Sequence, residues 1–353
     1  MVTFDVAFNF RALRRDYGDV LAEAASCRSA AALFDFSFMQ RIRIRGPRAS
    51  LLIKTLTPRR MDDLMPGRIR YALAVDALGH VLGDLTVWRL DAQTFDIFVP
   101  PGNAFTELQT AADLASSVCD LSKQTAIFAV QGPASLRVLA AVSDAARLRA
   151  LQYFGHLQTT VAGVECCVGR LGYTGERGFE IVLSRAASDA VWRALAQHAR
   201  PAGFAAADIL RIEAGFPLIG NEFRFPVTAG ELGLERFADQ ERARRSTPRA
   251  KPIRLTSFQA RCDHEEILWQ PAEDAPFPPD GEDLVVTSAC RSIIAGEIIG
   301  LGYAAPGGAC LADPSGRFRE IRRVSLPFYD PDKRRPRGGW RDDLSPDADR
   351  GYH

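Results

Sequence analysis

The residues best suited to chemistry are a few carboxylates and tyrosines beside glycine-rich turns. Asp84 lies in residues 80–90, whose alternation reads as a strand. On such a strand Leu82, Asp84, Thr86 and Trp88 share one face, and Val81, Gly83, Leu85 and Val87 share the other. The second face is small and apolar, so it should meet the core. Asp84 then stands among partly apolar neighbours, where desolvation raises a carboxylate's proton affinity. That suits a group which accepts or shares a proton with a ligand nitrogen near neutral pH. Spacing alone favours a plainer reading, an edge aspartate in solvent or paired with a cross-strand Arg70.

The second concentration is Gly172-Tyr173-Thr174-Gly175-Glu176-Arg177-Gly178-Phe179-Glu180. Three glycines around a tyrosine, just before a strand, indicate either a tight turn or backbone in close approach to a ligand. No Lys-Ser/Thr pair follows, so it is not a phosphate loop. The spacing also differs from a dinucleotide fingerprint, and a strand follows rather than a helix. Cys262-Asp263-His264-Glu265 is too compact for a metal site without a second cluster, and no metal is expected. Cys166-Cys167 should sit in a strand with at least one thiol as core filler. No GxSxG elbow supports a hydrolase triad.

The elements that must position these groups are mixed. Residues 19–32 and 205–214 read as helices, as do 187–199 and a stretch capped by Asn103 running to 116. Residues 40–46 alternate arginine with isoleucine, a strand with one wet face. Residues 70–76 and 80–90 flank Ala77-Leu78-Gly79 as a hairpin. Strands are expected at 94–99, 125–130 and 179–183, and paired strands across 158–170 around Ala162-Gly163. Residues 241–252 are basic and proline-bearing, and read as a linker rather than a nucleic-acid patch. The domain plan is therefore 1–240, a linker 241–252, a small all-β unit 253–335, and a polar, disordered tail 336–353.

Composition narrows the function class. The 353 residues are enough for two or three domains. A formal charge of +1 argues against a surface given over to nucleic acid. Seven cysteines without a CxxC pair fit neither a disulfide framework nor a zinc ribbon, so a cytoplasmic location is expected. No apolar run is long enough to span a membrane.

At this point a resemblance adds to the reading. GRLGYTGERGFEIVL is similar to the central motif of the aminomethyltransferase (glycine-cleavage T-protein) family. DILRIEAGFPLIGNEF, LFDFSFM, AIFAVQGP and GHVLGDLTVW resemble four further motifs of that family, in family order over about the first 225 residues. Thr287-Ser288 and Gly300-Leu301-Gly302-Tyr303-Ala304 extend it more loosely. The resemblance implies an α+β fold, a folate-binding domain of ferredoxin-like and related units, followed by a C-terminal β-barrel. It implies tetrahydrofolate in a central cavity, with Glu180 on the pterin. Met39, Trp88, Tyr153 and Tyr173 would line the pocket, and Asp84 would stand beside the reacting nitrogens as the catalytic group. The activity would be aminomethyl or methyl transfer, from a small-molecule donor or a lipoylated carrier protein. The alternative is a non-catalytic folate-binding module or a subunit of an amine-oxidising complex. Gly83, Phe38, Pro100 and Ala207 stand where the family usually has Asp, His, Asn and Arg, which marks a divergent paralogue related to the folate-dependent demethylases.

Overall fold

A computed structural model of the chain describes residues 2–5, 8–113, 116–238, 249–272, 276–307 and 311–340. Most of the expected linker and tail, 241–248 and 341–353, lies outside the described residues.

Helix α1 (Val20–Ser29) begins where Asp19 caps it, Oδ1 accepting from the Ala22 amide at 3.0 Å. Its strand partners alternate as the sequence suggests. In β2 (Gln40–Arg45) Ile42 and Ile44 are fully buried. Arg41 and Arg43 point the other way and grip one carboxylate, Asp96, each at 2.6 Å. Asp96 lies directly opposite Arg43 on β5 (Thr94–Val99), so this is a cross-strand pair.

Two sheets build the N-terminal part. One has six strands. Its members are β1 (Ala32–Asp35), β7 (Thr125–Gln131), β8 (His156–Val161), β9 (Val164–Gly169), β10 (Gly178–Ser184) and β11 (Arg200–Pro201). Their order is β11-β1-β7-β10-β9-β8, antiparallel except where β11 runs beside β1. The other sheet is wholly antiparallel, in the order β3-β4-β5-β2-β6, and includes β3 (Arg68–Val75), β4 (Val81–Arg89) and β6 (Ser117–Asp120). Helix α3 (Ala104–Ala111) is shorter than expected. Asn103 stands at its cap position but makes no side-chain cap bond; its Oδ1 accepts from the Thr3 amide at 2.7 Å and ties down the N-terminal segment.

A third antiparallel sheet, in the order β13-β14-β15-β12-β16, forms the C-terminal unit. Its strands are β12 (Arg254–Arg261), β13 (Leu268–Trp269), β14 (Val285–Arg291), β15 (Ile298–Ala304) and β16 (Arg319–Val324). Among the described residues β13 and β16 do not pair, so the sheet is barrel-like but open. Helix α7 (Phe204–Glu213) is buried on every face from Ala205 onward, because it lies between α1 and this third sheet. Pro336–Trp340, assigned by composition to the tail, is packed instead. Pro336 is buried, and the Trp340 ring stacks on Phe179 at 5.2 Å.

Candidate functional site

The β3–β4 hairpin presents Asp84. Asp76 shapes its loop, Oδ1 accepting from the amides of Leu78 at 2.9 Å and His80 at 2.8 Å, and Gly79 takes a φ of 85°. That register sets Tyr71 opposite Thr86 and Leu73 opposite Asp84, so Tyr71 and Asp84 are diagonal neighbours on one face. The Tyr71 hydroxyl donates to Asp84 Oδ2 at 3.0 Å. Asp84 is half-buried. Desolvation pushes its carboxyl up to about 6, with the Tyr71 hydrogen bond and its own backbone amide pulling back. Arg70 does not pair with Asp84; its guanidinium donates to Asp63 and to the Arg60 carbonyl.

Glu180 stands on β10 in a different setting. Burial alone drives its carboxyl up to about 7, and no described residue donates a hydrogen bond to it. It is within electrostatic reach of the Tyr153 hydroxyl, which burial raises and Arg337, Arg170 and Arg236 lower. Tyr173 is fixed differently. Its hydroxyl donates to the Pro217 carbonyl at 2.6 Å, and its ring stacks on Phe216 at 5.9 Å. Burial holds the Tyr173 hydroxyl well above the usual range; Arg211 opposes this and Asp84 adds to it. Met39 is half-buried at the edge of the apolar cluster that Tyr173 and Phe154 also border.

The structure thus gathers Asp84 with Tyr71 and Tyr173, and Glu180 with Tyr153. Arg236 links the two groups. It stands over the Phe237 ring at 4.6 Å, that ring meets Tyr71 edge-on at 4.9 Å, and Arg236 also acts on Tyr153. Tyr71, Phe237 and Arg236 were not singled out by sequence. Tyr71 reaches the Asp84 face only because the register shifts between Ala74 and Val75, which no local pattern marks, and nothing local marks the other two.

Trp88 lies at the buried end of the Asp84 face. It is 1% exposed and is the largest fully buried side chain. The far end of β4 runs under the six-stranded sheet, and the indole fills the space over Gly169, where a Cβ would stand 2.2 Å from the ring. Phe98 and His156 flank it at 5.0 and 5.4 Å, and Nε1 donates to Thr86 Oγ1 at 3.2 Å.

The glycine motif is a turn packed on one buried amide. Gln131 donates to the Leu171 carbonyl at 3.1 Å and accepts from Thr174 Oγ1 at 3.1 Å. A Cβ on Gly172 or Gly178 would fall 1.7 or 2.3 Å from that amide. Gly175 has a φ of 80° and lies against Ala214. Glu176 has a structural partner: Arg28 reaches it at 3.2 Å and Glu213 at 2.9 Å, with the Tyr329 ring 3.8 Å beneath the guanidinium. Among the motif's charged residues, Arg177 Nε donates to the Arg335 carbonyl at 3.1 Å, and no described residue donates to Glu180. Both Cys166 and Cys167 are buried, and burial raises the thiols to about 11 and about 12, so neither is a nucleophile. Among the described residues no three His, Cys, Asp or Glu side chains form a metal-sized group, and Asp263 pairs with Arg319. No described helix is long and apolar enough to cross a membrane.

Comparison with known proteins agrees with this architecture. A family model described as the GCVT N-terminal domain matches residues 2–242. An aminomethyltransferase of Streptomyces avermitilis is 33% identical over 336 aligned positions, covering 89% of this chain and 90% of its own. A probable aminomethyltransferase of Halobacterium salinarum is 33% identical over 351 positions, covering 89% and 92%. The crystal structure of the glycine cleavage system aminomethyltransferase T from Bartonella henselae superposes with a TM-score of 0.70. It is 24% identical, covers 88% of this chain and 89% of its own, and speaks to the fold.

Proposed function

This chain belongs to the GCVT family, the glycine-cleavage T-protein family, and from that premise we propose that it is a tetrahydrofolate-dependent one-carbon transferase. The observation that carries the reading is Glu180. A half-buried carboxylate raised to about 7, with no donor among the described residues, is an acceptor awaiting a ligand. The amino-pyrimidinone edge of a pterin offers two adjacent N–H donors, which match a carboxylate in bidentate fashion. The residues present therefore fit the group.

In this reading Glu180 holds the pterin edge, and Met39, Tyr153 and Tyr173 line the ligand. Folate, when bound, supplies the nitrogen that accepts the carbon. Asp84 is the catalytic group: with an affinity near 6 it is ionised at neutral pH yet close enough to titration to take a proton from a neighbouring nitrogen. Tyr71 orients that carboxylate by donating to Oδ2, which leaves Oδ1 for the ligand. Such positioning supplies much of the rate in a transfer between two held reactants. Trp88 contributes as a wall behind Thr86 rather than as a contact.

The test combines the purified protein with tetrahydrofolate and a panel of donors, comprising N-, S- and O-methyl compounds and an aminomethylated lipoyl carrier. Products are followed as methylene- or methyl-folate. One donor should give turnover. Folate binding without turnover for any donor would favour the non-catalytic module, and no folate binding at all would overturn the reading.

A further inference from the structure

The Thr287-Ser288 pair lies on β14, and its geometry is unusual for a strand. Consecutive strand side chains point to opposite faces. Here the register slips between Val286 and Ser288. Both hydroxyls consequently reach the same oxygen, Glu222 Oε1, at 2.7 Å from Thr287 and 2.6 Å from Ser288. A bulge that re-aims two side chains onto one atom is a built feature. Every member of the cluster is enclosed: Thr287, Ser288, Glu222 and Arg211 are 0% exposed.

The cluster continues toward the site. Glu222 Oε2 accepts from the Leu218 amide at 2.8 Å and from Arg211 Nη1 at 2.9 Å. Arg211 Nη1 also donates to the Phe216 carbonyl at 3.0 Å, and Nη2 to Ser288 Oγ at 2.6 Å. The turn so fixed carries Phe216, which stacks on Tyr173, and Pro217, whose carbonyl accepts the Tyr173 hydroxyl. Both the ring and the hydroxyl of Tyr173 thus meet one turn, and Glu222 and Arg211 hold that turn between them.

We propose that the Thr287–Ser288 bulge is a positioning element for the pocket: through Glu222 it sets the 216–218 turn, and the turn sets Tyr173. The inference rests on the folate reading only for its ligand. The C-terminal sheet then contributes to ligand affinity without touching the ligand. Ser257 provides a matched control. It is a buried hydroxyl on β12 of the same sheet, and it donates to the Val324 carbonyl at 2.7 Å rather than to Glu222.

The experiment is a double-mutant cycle on tetrahydrofolate affinity, with Ser288→Ala, Tyr173→Phe, their combination, and Ser257→Ala. Ser288→Ala should weaken binding about tenfold. Tyr173→Phe should weaken it similarly, and the combination little further, because both break one chain of contacts. Ser257→Ala should lower thermal stability yet keep affinity within about twofold. If Ser288→Ala does not fold, Thr287→Val removes one hydroxyl from Glu222 and stands in for it. A second readout needs no ligand: hydrogen exchange of the Leu218 amide should quicken in Ser288→Ala and not in Ser257→Ala. Independent, additive losses of affinity, or equal exchange in the two serine variants, would overturn the proposal. If the wild type binds no folate, the ligand assignment fails and the exchange result alone decides the relay.

Discussion

Replacing Glu180 with glutamine separates the carboxylate's cost to the free protein from its value to the ligand. Burial raises Glu180 from 4.5 to about 7, so between those values the folded state holds a proton that the unfolded chain has lost. The sign is fixed: this contribution to stability is complete below 4.5 and disappears as pH rises through about 7. A shift of that size corresponds to about 3 kcal/mol, and partial solvent contact reduces it to about 1–3 kcal/mol. Glu180→Gln carries no such charge. It should match the wild type near pH 4.5 and exceed it at pH 8 by about 1–3 kcal/mol, a few degrees in Tm for a chain of this size. Tetrahydrofolate binding should move the other way. Loss of a charge-assisted bidentate contact should weaken it about a hundredfold. Thermal unfolding at the two pH values, with calorimetric titration of tetrahydrofolate at pH 8, measures both. A Tm difference that does not change with pH, or a glutamine variant that binds as tightly as the wild type, would refute the assignment.

Three further outcomes follow from the same geometry. Tyr71→Phe removes a hydrogen bond that lowers Asp84, so the acidic limb of the pH–rate profile should move up from about 6 by about one unit; an unmoved limb would contradict the pairing. Gly169→Ala drives a Cβ to within 2.2 Å of the Trp88 ring and should cost about 1–3 kcal/mol of stability in denaturant unfolding. Arg211→Met leaves Asp208 and Glu222 buried without their cation and should destabilise by about 3–5 kcal/mol, more than Gly169→Ala.

How much of this was legible in the sequence depended on distance along the chain. The alternation of β4 placed Val81, Leu85 and Val87 inside and left Asp84 half-buried, because strand period is a local property. The same rule put Trp88 on the face of Thr86, to which its Nε1 donates, but could not give its full burial. Its burial depends on a gap above Gly169, on a strand far away in sequence, and no period in residues 80–90 carries that. The glycine motif read equally well as a turn or as a ligand approach. The deciding residue is Gln131, whose side chain fills the space that Gly172 and Gly178 leave. Tyr71 was not recoverable from the loop length, because the register shifts between Ala74 and Val75; an unshifted hairpin would set Tyr71 opposite Leu85, on the other face from Asp84. Nor was the Glu222 cluster, because a bulge reverses the facing that alternation predicts for Thr287 and Ser288. The tail was judged on composition, whereas Trp340 finds a partner in Phe179 that composition cannot reveal.

The central claim is that Asp84 acts on the reaction while other residues hold the ligand. The most direct measurement is single-turnover transfer to tetrahydrofolate by the Asp84→Asn variant, with the dissociation constant determined on the same preparation. The side chain keeps its shape and loses its charge, so binding should stay within about fivefold of the wild type while the transfer rate falls by about a hundredfold or more. A variant that transfers at the wild-type rate, or one whose whole deficit is weaker folate binding, would contradict the account.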